Sequence, residues 1–143
     1  MITDAQLRFS QAQSLIGAAA ATLSTNVVDL LSANSNPGMI DRARIYVTAK
    51  DTFVGGTSVQ VDVLQSATAD LATPDVLATS GAIAVADAAT GDVLLDIHMP
   101  NTSKQFLGLR YTTVGTNTTA GSVDANVVET VDHQPYVPSN TGR

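Results

Sequence analysis

Cysteine and tryptophan are both missing from these 143 residues. Without thiols, disulfides and cysteine-based zinc sites are excluded. Aromatic residues make up 4% of the chain, so a core has to be built from Val, Leu, Ile and Ala. Charged residues are also sparse, at 14%, and their balance is −6. Lys50 and Lys104 are the only lysines. An acidic, lysine-poor chain is a poor ligand for a phosphate backbone, so no nucleic-acid partner is expected. No apolar run approaches the roughly 20 residues of a spanning helix, so no membrane partner is expected either. Ser14 to Ala21, SLIGAAAA, has the apolar character of a signal-peptide core. It follows Asp4 and Arg8 with no net-positive segment, and reads as an extended or weakly helical arm of a mature protein.

Ala, Thr, Ser, Asn and Gly are abundant, as is common in all-β proteins with many short turns. The length suits one domain over residues 1–143. Such a domain buries roughly two-thirds of its unfolded surface and needs no staples. The clearest strand lies within Asp51 to Ser66, DTFVGGTSVQVDVLQS. There Val59, Val61 and Val63 share one face, and Ser58, Gln60 and Asp62 share the other. This alternation predicts a half-buried strand with its valines inward. Gly55-Gly56 ends the preceding loop, where positive φ is cheap only for glycine.

Other segments read the same way. Leu7 and Phe9 alternate with Arg8 and Ser10 in a short strand or extended arm. Val27 to Leu31 follows a turn at Ser24-Thr25-Asn26, and Asn34 to Gly38 is a loop. Arg42 to Ala49 turns Ala43, Ile45 and Val47 one way and Arg42, Arg44 and Tyr46 the other. Val76–Thr79 and Ala82–Ala86 are short strand candidates. Val93, Leu95, Ile97 and Met99 share a face. Gln105 to Val114 opposes Phe106 to Leu107, Leu109 and Tyr111. Gly115 to Gly121 is expected as a hairpin loop leading into Ser122–Val131. Residues 1–24 are expected as an N-terminal arm and 132–143, with two prolines, as a C-terminal tail. About eight or nine short strands at spacings near ten residues predict an antiparallel β-sandwich or barrel.

Specific catalytic signatures are missing: no G-x-S-x-G, no H-E-x-x-H, no Walker loop, no EF-hand loop. His98 and Asp96 fall two apart on one strand and point the same way, which is how a metal site begins. Two ligands do not close one, and a solvent-facing pair is expected. His133 beside Asp132 reads as a surface pair. The carboxylates Asp62, Asp70, Asp75, Asp87, Asp92, Asp96 and Asp124 are scattered. A glycosidase needs two of them facing across a cleft, and the aromatic platforms of such clefts are scarce here. Asn101-Thr102-Ser103 and Asn117-Thr118-Thr119 match the glycosylation pattern but otherwise read as turns. No enzyme, no metal and no cofactor is expected. A carbohydrate-binding or host-adhesion module is the alternative that a sandwich leaves open.

Several blocks together resemble a tailed-phage family, the capsid cement proteins of the Bbp16 type. They are MITDAQLRFSQAQSL at the start, STNVVDL at Ser24–Leu30, FVGGTSVQVDVLQSA at Phe53–Ala67, SGAI at Ser80–Ile83, KQFLGLRY at Lys104–Tyr111 and TAGSVDANVV at Thr119–Val128. The resemblance runs over nearly the whole chain in the same order. It implies a jelly-roll sandwich that assembles as a homotrimer. It also implies a non-enzymatic virion protein, made in the host bacterial cytoplasm, that sits on the outer surface of the head and clamps neighbouring major capsid proteins. Extended ends suit such an assembly. The candidates for intersubunit contact are Leu7 and Phe9 in the first arm and Pro135, Tyr136 and Val137 in the last, since Tyr is enriched in interface cores.

Overall fold

The computed structural model describes residues 7–31 and 43–129. Among these residues ten strands run in chain order: β1 Arg8–Ser14, β2 Ala21–Leu23, β3 Val28–Asp29, β4 Arg44–Val54, β5 Ser58–Ser66, β6 Asp75–Thr79, β7 Ile83–Ala84, β8 Val93–His98, β9 Phe106–Val114 and β10 Ala120–Val128. One sheet has the order β1-β10-β4-β8. The other has β2-β9-β5-β6, with β3 also on β9 and β7 also on β5. Every pairing is antiparallel.

β2 with β3 fills one rank beside β9, and β6 with β7 fills one rank beside β5. Counted by rank, the first sheet runs first-eighth-third-sixth and the second runs second-seventh-fourth-fifth. Successive ranks therefore alternate between sheets except the fourth and fifth, which pair as neighbours, and this is the wrapped Greek-key order of a jelly roll. The predicted all-β sandwich is what the chain forms.

The core lies between the sheets. Val59, Val61 and Val63 of β5, Leu107, Leu109 and Tyr111 of β9, Ile45 and Val47 of β4 and Val123 and Ala125 of β10 are all fully buried there. In β4, β5 and β9 these are the inward phases that the alternation marked. Each valine or leucine contributes about 1.5–3 kcal/mol by leaving water.

Several expectations need correction. Gly115–Gly121 does not close a hairpin. β9 and β10 lie in different sheets, and the loop carries the chain across the sandwich. Residues 7–24 are extended but do not stand off as an arm. β1 pairs with β10, β2 pairs with β9, and Phe9 is completely buried. Asp62 is not on a solvated face but is buried with Gln65 and Ser66. In β8 a register shift between Val47 and Thr48 turns Val93 outward and buries Leu94 beside Leu95. The Ala82–Ala86 strand is only Ile83–Ala84, followed by a 3-10 turn at Val85–Asp87.

The connections β1–β2, β4–β5, β7–β8 and β9–β10 gather at one end. Gly17 N donates to Thr118 O at 3.0 Å, Thr57 N to Val114 O at 2.7 Å and Val85 N to Thr57 O at 3.1 Å. The described chain enters and leaves at the other end, where Arg8 faces Asn126 and Val128 faces Arg44.

Candidate functional site

Chemistry-bearing side chains concentrate on the outer face of the β1-β10-β4-β8 sheet. Asp96 and His98 do share a side of β8, as their spacing requires. Across from them on β4 stands Arg44, in register with His98. Its Nε donates to Asp96 Oδ1 at 2.7 Å, and its Nη1 lies 3.1 Å from His98 Nε2. A guanidinium thus occupies the position from which a cation would draw the pair together. Arg44 was visible in the outward phase of its strand, but the pairing that brings it to Asp96 was not. Among the described residues no group of three His, Cys, Asp or Glu could hold a metal ion.

Beside that trio a shallow pocket of about 260 Å³ is lined by Arg8, Ser10, Gln11, Tyr46, Thr48, Asp124 and Asn126. A bulge in β1 shapes its rim. Ala12 has φ +44°, and its N–H donates to Asp124 Oδ1 at 2.6 Å. Arg8 hydrogen-bonds Gln11. Asn126 Oδ1 is buried and has no hydrogen-bond partner. The pocket offers donors and acceptors to a polar ligand. Tyr46 is its one aromatic side chain.

Three further carboxylates have partners of their own. Arg110 of β9 faces Asp62 of β5 in register and binds Oδ2 through Nε at 3.1 Å and Nη2 at 2.7 Å. Burial pushes the Asp62 carboxyl up, but hydrogen bonds from Gln60, Arg110 and Thr79 outweigh it and hold it below its usual range. Lys104 pairs with Asp75 at 2.7 Å and lowers it. Asp70 accepts from Ala72 N at 3.1 Å. Deep in the sandwich, Tyr111 OH meets Ser10 Oγ at 2.8 Å, and burial raises the phenol well above 10.

The five expected contact residues fare differently. Phe9 is part of the core, and Leu7 packs against that core partly buried. Both are engaged within the chain itself. Pro135, Tyr136 and Val137, like Asp132 and His133, lie outside the described residues.

The loop end is a second surface that sequence reasoning did not single out. Ile16, Val54 and Val114 are 60%, 51% and 50% exposed there. The signal was present in the sequence: residues 14–28, 52–61 and 111–123 contain no charge. Only the topology shows that these stretches meet.

The fold and the site define a jelly-roll β-sandwich with a polar pocket on one sheet and an arginine spanning Asp96 and His98. The particular family follows from sequence. The Bbp16 family model matches residues 9–127, and the chain belongs to that family. No curated protein matches the chain.

Proposed function

We propose that this protein is a non-enzymatic capsid cement, or head-decoration, protein of a tailed phage, acting as a homotrimer on the outer surface of the shell. The observation that carries the reading is the family match over residues 9–127, which takes in the sandwich from β1 to β10 almost whole. The number three and the position on the head come from the resemblance alone.

The physical role is to oppose capsomer separation. Packaged DNA pushes outward, and a rigid sandwich bound across a seam between major capsid proteins resists that strain. One subunit's contact can be weak. Linked copies bind at high effective concentration, so avidity exceeds single-site affinity by about 10²–10⁴. A closed threefold ring requires a heterologous contact that closes on rotation. The net charge of −6 suits an outer position, because the protein does not compete for the packaged DNA.

The test adds purified protein to capsids that lack it. Co-sedimentation, together with a higher temperature of shell rupture, is the expected result. Protein that stays in the supernatant at saturating capsid would refute the reading. A second reading, a glycan-binding module of the virion, draws on the pocket around Arg8, Tyr46, Asp124 and Asn126. Sugar-specific signals on a glycan array, absent for Asn126→Leu, would favour it.

A further inference from the structure

We infer that the uncharged part of the loop end, built by the β1–β2, β4–β5 and β9–β10 connections, is the surface through which copies of this chain contact one another. The inference rests on the oligomeric reading above and names the face that makes the contact.

Three observations converge on this end. First, it exposes apolar side chains among uncharged polar ones: Ile16, Val54 and Val114 are each at least half exposed, Ala18, Ala19 and Ala20 are exposed beside them, and the exposed polar residues, such as Thr57, Thr116, Asn117 and Thr119, carry no charge. Isolated exposed valines are ordinary, but here they stand on connections that are tied to one another. Thr118 N donates to Gly17 O at 2.8 Å, Thr119 N to Val54 O at 2.8 Å, Gly56 N to Thr116 Oγ1 at 3.1 Å and Leu15 N to Gly121 O at 3.0 Å.

Second, the end is held in shape before any partner arrives. Gly55, Gly56 and Gly115 take φ values of +79°, +76° and +104°. A Cβ on Gly115 would lie 2.7 Å from Thr57 N, so the two loops are in backbone contact. A surface already ordered loses little entropy on association.

Third, its charge pattern selects the partner. The chain carries 13 acidic residues and 7 basic ones, yet the three tied stretches carry none. The carboxylates of this end stand beside those stretches: Asp87 and Asp92 lie on the β7–β8 connection, and Asp51 of β4 accepts from Ser122. A basic partner would be steered by carboxylates, and a surface without them forfeits that gain. A partner carrying the same −6 is different. Between like-charged copies, facing carboxylates would repel, and a contact through uncharged side chains removes that cost. Depletion of charge is also what marks the buried centre of interfaces.

The test is the mass of the full chain by light scattering on a size-exclusion column, with thermal melting as the fold control. Wild type is expected near three times 14.7 kDa. Val54→Asp combined with Val114→Asp places two carboxylates at each exposed end and should cut the mass to one third with melting retained. Leu31→Asp is the matched control. Leu31 is 84% exposed but stands at the opposite end, and its substitution should leave the mass unchanged. A double variant that keeps the wild-type mass would overturn this inference and leave the oligomer intact. If that variant also stops binding capsids, the end meets the shell protein instead. A monomeric wild type would overturn the oligomer and this inference together. Should the double variant melt early, Ile16→Asp alone provides the same comparison at a third exposed position.

Discussion

Replacing Arg110 by Gln tests how the second sheet carries a buried charge. The Asp62 side chain is 3% exposed, whereas that of Arg110 is 33% exposed. Removing the arginine leaves a buried carboxylate with Gln60, whose Nε2 donates to Oδ1 at 2.8 Å, and with Thr79. Removing one partner of a buried pair costs about 3–5 kcal/mol. Arg110 reaches solvent and Asp62 keeps other donors, so we expect about 2–3 kcal/mol after discounting for screening. With a urea m-value of about 1.5 kcal/mol/M, the midpoint should fall by roughly 1.3–2 M. The double variant Asp62→Asn, Arg110→Gln should recover much of this, because no charge is left unpaired. The pH dependence follows from the direction of the shift. Asp62 is lowered in the fold relative to 3.8. Its contribution is therefore fully present above the unfolded carboxylate value and is lost as pH falls through the folded one. The gap between wild type and Arg110→Gln should narrow in acid. A midpoint change below about 0.3 M at neutral pH, equivalent to about 0.5 kcal/mol, would refute the reasoning and class the pair with ordinary surface bridges.

Further substitutions probe other parts of the fold. Val61→Asp places a charge at a fully buried position and should abolish folding, read as loss of soluble protein and of the melting transition. Gly55→Ala imposes a side chain at φ +79° against the backbone carbonyl of Asn117. We expect a loss above about 2 kcal/mol by urea denaturation, since the left-handed conformation alone costs about 1–2 kcal/mol. Tyr111→Phe removes the hydroxyl that meets Ser10 and should cost about 1 kcal/mol in the same assay. Asp96→Asn with His98→Ala should leave both the mass and the capsid binding of the protein unchanged, with stability altered by less than about 1 kcal/mol.

Local pattern carried most of the strands and almost none of their partners. In β5 and β9 the valine and leucine phases are regular, and both sets are buried as their alternation required. β8 and β1 broke the rule because bulges shift their register, and a bulge is decided by the neighbouring strand. Gly115–Gly121 looks like any hairpin turn. Which sheet its second strand joins depends on long-range pairing, which no local window contains. Asp62 was misassigned for the same reason. Its partner Arg110 stands 48 residues away, and only their register makes burial of the carboxylate tolerable. The site behaved alike: Asp96 and His98 were found by spacing, while Arg44 and the convergence of three uncharged loops required the topology.

The pairing of β1 with β10 also governs how this chain is made. Ala12 bonds to Asp124, 112 residues later. At about 5–20 residues per second, a ribosome needs roughly 6–22 s to deliver the second after the first. Until then β1 has no strand to dock on, Phe9 has no closed core, and β4 presents a bare edge where β10 will sit. Such non-local closure is slow in folding terms. Nascent chains stalled before residue 120 should accordingly bind chaperones, and truncation of β10 should yield aggregates instead of a smaller sandwich.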